Sequence, residues 1–358
     1  MTTRIAIVGG FLGAGKTTLI LAAARRLVER GYRVGLVTND QGEDLVDTAL
    51  ATEATIPVAE VAGGCFCCRF PDLLAGLQRL REVASPDVIL AEPVGSCTDL
   101  IATVLRPLVQ FYGEQYELAP LTVLLDSSRS MATFPADIQY LHEKQVAEAE
   151  ILLYSKSDLD RKNGTRIQRK GRMGADSAET PVLPVSAITG DGLDEWLSMI
   201  LGQTSRNPEA LLIDYERYAQ AEAALGWLNA KGQVRADTPY SAREWTSQLL
   251  ATLESLCAEQ HASIAHIKIL VTTPQTKLKA SLTQAGSLSW DLDDEAADSR
   301  SHEFVLNARV NATPSQLENI AMQAIEAAKP DPAARYYIEH FECFSPLPPR
   351  PTHRLENR

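Results

Sequence analysis

No segment of this 358-residue chain is long and apolar enough to span a membrane, no histidine-rich tract occurs, and basic charge is in deficit. Each absence excludes something. The apolar run nearest the N-terminus, RIAIV, falls far short of the roughly 20 residues of a spanning helix and of the apolar core of a secretory signal. A formal net charge of −12 argues against non-specific binding to nucleic acid or to an anionic membrane. The basic run RKNGTRIQRKGR (161–172) carries no interleaved aromatics and reads as a surface loop. Six cysteines in a chain of this length do not make a disulfide framework. The expected compartment is therefore the reducing cytoplasm, where clustered thiols serve metal or redox chemistry.

What the chain does have, over its first two hundred residues, is an alternation of short apolar runs with helical-length stretches. The runs are RIAIV (4–8), RVGLVT (33–38), DVILAE (87–92), LTVLLD (121–126), ILLYSK (151–156) and PVLPVS (181–186). Their continuous apolar character fits strands covered on both faces, hence an α/β fold with a mainly parallel sheet and helices on both faces. Near residue 205 the polar stretch QTSRNPEA marks a boundary. Beyond it, SARE (241–244) and TPSQ (313–316) have capping-box spacing. They open helices carrying Trp245, Leu249, Leu253 and Leu256 on one face, and Leu317, Ile320, Ala324 and Ala328 on the other helix. AHIKILVTT and HEFVLNARVNA alternate like half-buried strands, with Phe304, Leu306, Ala308 and Val310 on one side. The expected organisation is a phosphate-loop domain over 1–205, a smaller α+β domain over 206–345, and a mobile proline-rich tail over 346–358.

Gly10 to Thr17, GFLGAGKT, matches G-x-x-x-x-G-K-[ST] and lies between a strand and a helix, as that motif requires. Gly10, Gly13, Ala14, Gly15 and Thr18 would wrap the phosphates at the positive end of the helix. Lys16 would reach the β- and γ-phosphates, and the Thr17 hydroxyl would ligate Mg²⁺. At the end of the fifth run, YSKSD places Ser155, Lys156 and Asp158 where a carboxylate can accept from both the ring N–H and the exocyclic amine of guanine. Ser186 and Ala187, after the sixth run, could reach the base through backbone groups. GTP is therefore favoured over ATP. Glu92, in AEPVGS, would stand opposite the phosphate loop to support Mg²⁺, with Gly95 near the γ-phosphate. Asp40, Asp44 and Asp47 follow the second run and suit a switch loop. Lys16, Glu92 and Asp40 are the candidate catalytic groups.

AGGCFCCRF (62–70) puts Cys65, Cys67 and Cys68 ahead of a helix whose dipole favours thiolates. From an extended segment Cys65 and Cys67 would point the same way, with a turn at Gly63–Gly64 bringing Cys68 in. Inert thiols or a redox pair are the alternatives to a soft-metal site. Three thiolates would leave one open position on a tetrahedral ion, which suits transfer. Cys97, Cys257 and Cys343 read as isolated small apolar residues, the alternative for Cys97 being a fourth metal ligand.

Taken in order, GGFLGAGKTT, NDQG with Asp47, GGCFCC, EPVG, SKSD and SAITGDG resemble the CobW-type metal-insertion GTPases. These SIMIBI-class proteins are relatives of the nickel-insertion GTPases of urease and hydrogenase maturation. The resemblance implies slow GTP hydrolysis coupled to delivery of Zn²⁺, Co²⁺ or Ni²⁺ to a client metalloprotein. By matched position it implies that Lys16 and Thr17 hold phosphate and Mg²⁺, that Glu92 and Gly95 form the second switch, and that Lys156 with Asp158 reads guanine. Cys65, Cys67 and Cys68 would hold the transferred metal. Ser155 stands where asparagine is usual, and Asp40 where glutamate is usual. The second domain carries no matching motif and is expected to contact a client or a second protomer. Two rivals are an activator of a corrinoid or other metallo-enzyme, gating cofactor loading, and an ATP-dependent small-molecule kinase with structural zinc.

Overall fold

The computed structural model describes residues 2–40, 56–159, 180–284, 286–293 and 296–356. Asp44, Asp47, the basic run at 161–172 and the side chain of Asp40 lie outside what is described.

The first sheet contains β1 (Thr3–Gly10), β2 (Val34–Asp40), β3 (Val58–Ala62), β4 (Val88–Ala91), β5 (Tyr116–Leu118), β6 (Thr122–Asp126), β7 (Ile151–Ser155) and β8 (Val182–Pro184). Its order is β3-β2-β4-β1-β6-β7-β8, with β5 also beside β1, and its pairings are parallel. Helices cover both faces. One side carries α1 (Lys16–Glu29) and α5 (Leu193–Gly202), and the other carries α2 (Phe70–Ala84), α3 (Arg106–Tyr112) and α4 (Ala136–Ala147). α2 forms because Leu73, Leu77 and Leu80 recur on one stripe and Pro71 sits in its first turn. Each of those leucines is almost fully buried, worth about 1.5–3 kcal/mol apiece. β3 and β5 carry no continuous apolar run: β3 is buried only at alternate residues and β5 has three residues. The run ending at Glu92 is consequently the fourth strand of the sheet, not the third.

The second sheet contains β9 (Gly226–Tyr240), β10 (Ser263–Thr272), β11 (Lys277–Leu282), β12 (Leu288–Asp293), β13 (Ser299–Asn311) and β14 (Arg335–Phe344). It is antiparallel, ordered β12-β11-β10-β13-β9-β14. Between the sheets, α6 (Tyr215–Ala223) buries Tyr218 and Ala221 in the core of the first. α7 (Ala242–Glu259) and α8 (Pro314–Ala327) start as their sequences require. Ser241 accepts from the Glu244 amide, and Thr313 accepts from the Gln316 amide. Both helices pack on the apolar face of the sheet, where Ile267, Ile269, Phe304, Leu306 and Ala308 point.

The opposite face departs from the half-buried expectation. Asn229, Lys268, Lys279, Asn307 and Arg309 line it, and none is more than 7% exposed. This polar face is turned toward the first domain instead of toward water.

The tail also departs from expectation. The segment read as mobile is docked: Thr352 N donates to Cys67 O at 2.8 Å and Leu355 N to Ala102 O at 2.9 Å. Its four prolines, Pro346, Pro348, Pro349 and Pro351, stiffen the free chain and so lower the entropy lost on docking.

Candidate functional site

The phosphate loop joins β1 to α1. Gly10, Gly13 and Gly15 have φ of 128°, 75° and 92°, conformations that a side chain would strain. Lys16 is 5% exposed, and its Nζ lies 3.4 Å from Phe11 O and 3.9 Å from Glu92 Oε1. The Thr17 hydroxyl donates to Glu92 Oε1 at 3.0 Å. Glu92, just beyond β4, therefore meets the two loop residues expected to handle phosphate and Mg²⁺. A hard cation between that hydroxyl and that carboxylate has the oxygen donors it prefers.

Residues from β7 and β8 close the far end of the loop. Ser155 Oγ lies 2.7 Å from Ala14 O and 3.1 Å from Leu125 O, which share its one proton, so the hydroxyl braces the phosphate loop against β6. Lys156, at φ 58°, places Nζ 2.6 Å from Asp126 Oδ2, whose carboxylate is held below the usual range despite burial. Asp158 Oδ1 accepts from Ser186 Oγ at 2.6 Å, which orients the carboxylate. Ala187 follows in the same loop and is half-buried.

The cysteines do not lie in an extended segment. Cys68 N and Arg69 N both donate to Cys65 O, at 3.1 and 2.9 Å, so residues 65–69 form a helical turn leading into α2. That turn gathers three sulfurs, with Cys65 Sγ 2.8 Å from Cys67 Sγ and 3.1 Å from Cys68 Sγ, and 3.8 Å between the latter two. Tetrahedral Zn²⁺ with Zn–S of about 2.3 Å would set sulfurs about 3.8 Å apart. The donor set fits a soft divalent ion after an opening of under about 1 Å. Hydrogen bonding with Cys67 and Cys68 holds Cys65 well below the ordinary thiol range, and the same hydrogen bonds to Cys65 push Cys67 well upward and Cys68 to about 11. Among the described residues this is the one His/Cys/Asp/Glu cluster compact enough to hold an ion. Cys97 is not isolated: its buried thiol is close enough to Cys65 and Cys67 to influence their protonation. Cys257 is buried in the second core and Cys343 packs against it.

Sequence reasoning missed Asn39, at the end of β2. Its Nδ2 donates to Val61 O at 2.8 Å and Gly64 O at 2.6 Å. Its Oδ1 accepts from Phe66 N at 2.9 Å and Val94 N at 3.4 Å. One side chain thus joins the thiol turn to the loop after Glu92, while lining the same cleft as Lys16 and Thr17. Its one sequence signal is a buried polar residue at a strand end. Arg129 was also missed. It donates to Leu12 O in the phosphate loop and to Ala265 O and Thr283 O in the second domain, clamping the two.

A phosphate cradle joined through one asparagine to a thiol cluster defines a P-loop nucleotide-binding protein equipped to handle a soft metal. Residues 4–182 match the family model of the CobW/HypB/UreG nucleotide-binding domain, and the chain belongs to that family. It is 31% identical over 163 residues to the zinc chaperone YeiR of Escherichia coli, covering 44% of this chain and 47% of that protein. It is 26% identical over 197 residues to the zinc chaperone YjiA of the same organism, covering 53% and 58%. Against the zinc chaperone CobW of Sinorhizobium sp. it is 28% identical over 195 residues, covering 46% and 53%. The chain spans about half the length of the curated relatives it matches. Among solved structures, HypB from Helicobacter pylori in complex with nickel aligns at 16% identity and TM-score 0.42, over 56% of this chain and 86% of that one.

Proposed function

We propose that the chain is a GTP-binding and GTP-hydrolysing metallochaperone that carries a divalent transition metal on Cys65, Cys67 and Cys68 and releases it to a client metalloprotein as the nucleotide state changes. The observation that carries this reading is Asn39, which ties the thiol turn to the loop after Glu92 inside the phosphate cleft. Any displacement of that loop by a γ-phosphate is transmitted to Gly64 and Phe66, and so to the sulfurs.

In this reading Gly10 to Thr18 wrap the phosphates, and Lys16 neutralises the β- and γ-oxygens. Thr17 and Glu92 hold Mg²⁺, which would offset charge on the phosphates. Lys156 and Asp158, oriented by Ser186, select guanine. Glu92 and Asp40 are the candidates for orienting the attacking water. Zn²⁺ is the favoured cargo, since the three relatives above are named zinc chaperones and thiolates prefer it over harder ions.

The test is a Zn²⁺ titration with a non-hydrolysable GTP analogue and with GDP, in wild type and Cys67→Ser. Reciprocal coupling requires Zn²⁺ to tighten the analogue by the same factor as the analogue tightens Zn²⁺. Equal Zn²⁺ affinities in both nucleotide states would sink the coupled reading. Retained affinity in Cys67→Ser would remove the thiols as its site.

A further inference from the structure

The cleft that holds the phosphate loop has a second wall. Opposite Gly13, Gly15, Lys16 and Thr17 stand His266, Lys268, Lys279 and Arg309 of the second sheet. Register explains their grouping: Lys268 pairs with Ser281 on β11 and with Asn307 on β13, and His266 pairs with Arg309. These positions share the face turned from α7 and α8. Lys268 is 7% exposed and lines the cleft with Lys16 and Thr17, so a phosphate seated there lies in the poorly screened field of its charge. Arg309, stacked 3.8 Å over Trp227 and donating to Leu228 O, and Lys279, 3.1 Å from Asp291, line the same wall.

Resting on the GTP reading above, we infer that the second domain completes the phosphate site, with Lys268 as a positioning cation for the terminal phosphate. GTP then holds the two domains together through charge that GDP lacks. The experiment is calorimetric binding of a GTP analogue and of GDP to full-length wild type, Lys268→Met and Lys268→Arg. The expected result for Lys268→Met is a loss on the order of tenfold or more for the triphosphate and under threefold for GDP, with recovery in Lys268→Arg. Equal losses for both nucleotides, or none, overturn the inference while leaving GTP binding intact. Failure of the wild type to bind either nucleotide instead removes the reading on which it rests.

A separate set of contacts concerns the tail. Arg350 N donates to Cys68 Sγ at 3.1 Å, and Thr352 bonds the carbonyls of both Cys67 and Cys68. The His353 ring lies 5.0 Å from Phe70 and 5.3 Å from Phe111. Arg354 pairs at 2.8 Å with Asp99, whose side chain is 1% exposed and whose φ of 60° is left-handed. Asp99 follows Gly95 and Cys97 on the loop that Asn39 also touches through Val94. One strand of tail is therefore fastened both to the thiol turn and to the loop beyond Glu92.

The geometry points to the tail as a strap that covers Cys68 and is released from the Asp99 end. Its readout does not depend on nucleotide or metal: the alkylation rate of each cysteine, resolved by mass spectrometry, in full-length wild type, Arg354→Ala and Thr352→Pro. Loss of the Arg354 pair or of the Thr352 amide should raise the Cys68 rate on the order of tenfold, while Cys257 in the second core stays unchanged. An unchanged Cys68 rate in both variants rejects the strap. A rise at Cys257 equal to that at Cys68 also rejects it, since that marks general loosening.

Discussion

Asn39 donates to the carbonyl of Gly64 at 2.6 Å, fixing the turn that carries the thiols to the end of the strand beside the phosphate cleft. Replacing it with alanine removes the partner of Val61 O, Gly64 O, Phe66 N and Val94 N. The two losses at the thiol turn, Gly64 O and Phe66 N, alone cost about 2–6 kcal/mol when both groups stay dry. Asn39→Ala should therefore lower the urea midpoint of unfolding. It should also make Zn²⁺ affinity the same with a GTP analogue as with GDP, because the tie is gone. Nucleotide-dependent Zn²⁺ affinity that persists in this variant would show that coupling runs elsewhere.

In the proposed function Asp158, oriented by Ser186, is what makes the base site specific for guanine. Removing the carboxylate in Asp158→Ala leaves two guanine donors unpaired, whereas the phosphate contacts of Gly10 to Thr18 remain. GTP affinity should fall by about 100-fold, or about 2.7 kcal/mol, and the preference over ATP should vanish. Competition binding with GTP, ATP and inorganic triphosphate measures it. Loss of triphosphate binding to the same degree would assign Asp158 to the fold instead of to the base.

The parts of the molecule legible in sequence are those set by local chemistry. GFLGAGKT declares its loop because glycine geometry and the helix dipole are both local, and SARE and TPSQ declare their helices because a cap is four residues long. What was not legible depended on distant packing. The alternating residues of β10 and β13 showed a polar face, but only the placement of the second domain showed that the face meets phosphate-loop residues and not water. The tail's prolines and polar residues match a solvated segment; its docking rests on Cys67, Ala102 and Asp99, some 250 residues or more away in sequence. Cys97 looked isolated for the same reason, since its neighbours come from another loop.

Gly95 marks a close approach between the two nucleotide-facing loops. A Cβ there would lie 2.8 Å from Leu12 Cδ2 and 3.0 Å from Leu12 Cα, and the second of these is backbone. Gln145 donates to Gly95 O at 3.0 Å, so the loop cannot simply retreat. Gly95→Ala must push the phosphate loop at Leu12. Nucleotide affinity should fall about tenfold, while thermal unfolding shifts by only a few degrees for a strain of about 1–3 kcal/mol. Unaltered nucleotide binding would mean that the phosphate loop yields at no cost.

Glu148 closes α4 in full burial, accepting from Thr98 Oγ1 at 3.1 Å and Leu100 N at 2.7 Å. Burial first, and the charge of Asp99 second, push its carboxyl from an ordinary 4.5 to about 8. The folded state therefore keeps a proton that the unfolded chain gives up between those two values. Stability falls as pH rises through that window, by about 1.4 kcal/mol per pH unit for this group, and levels off above pH 8. Glu222, buried and also raised to about 8, adds a slope of the same sign. Glu148→Gln holds its neutral shape at every pH, so it should remove its own part of the decline and leave the part due to Glu222. Urea unfolding at pH 5, 6.5 and 8 measures both slopes. The variant should gain on the wild type with each step upward in pH, and parallel lines would place the proton elsewhere.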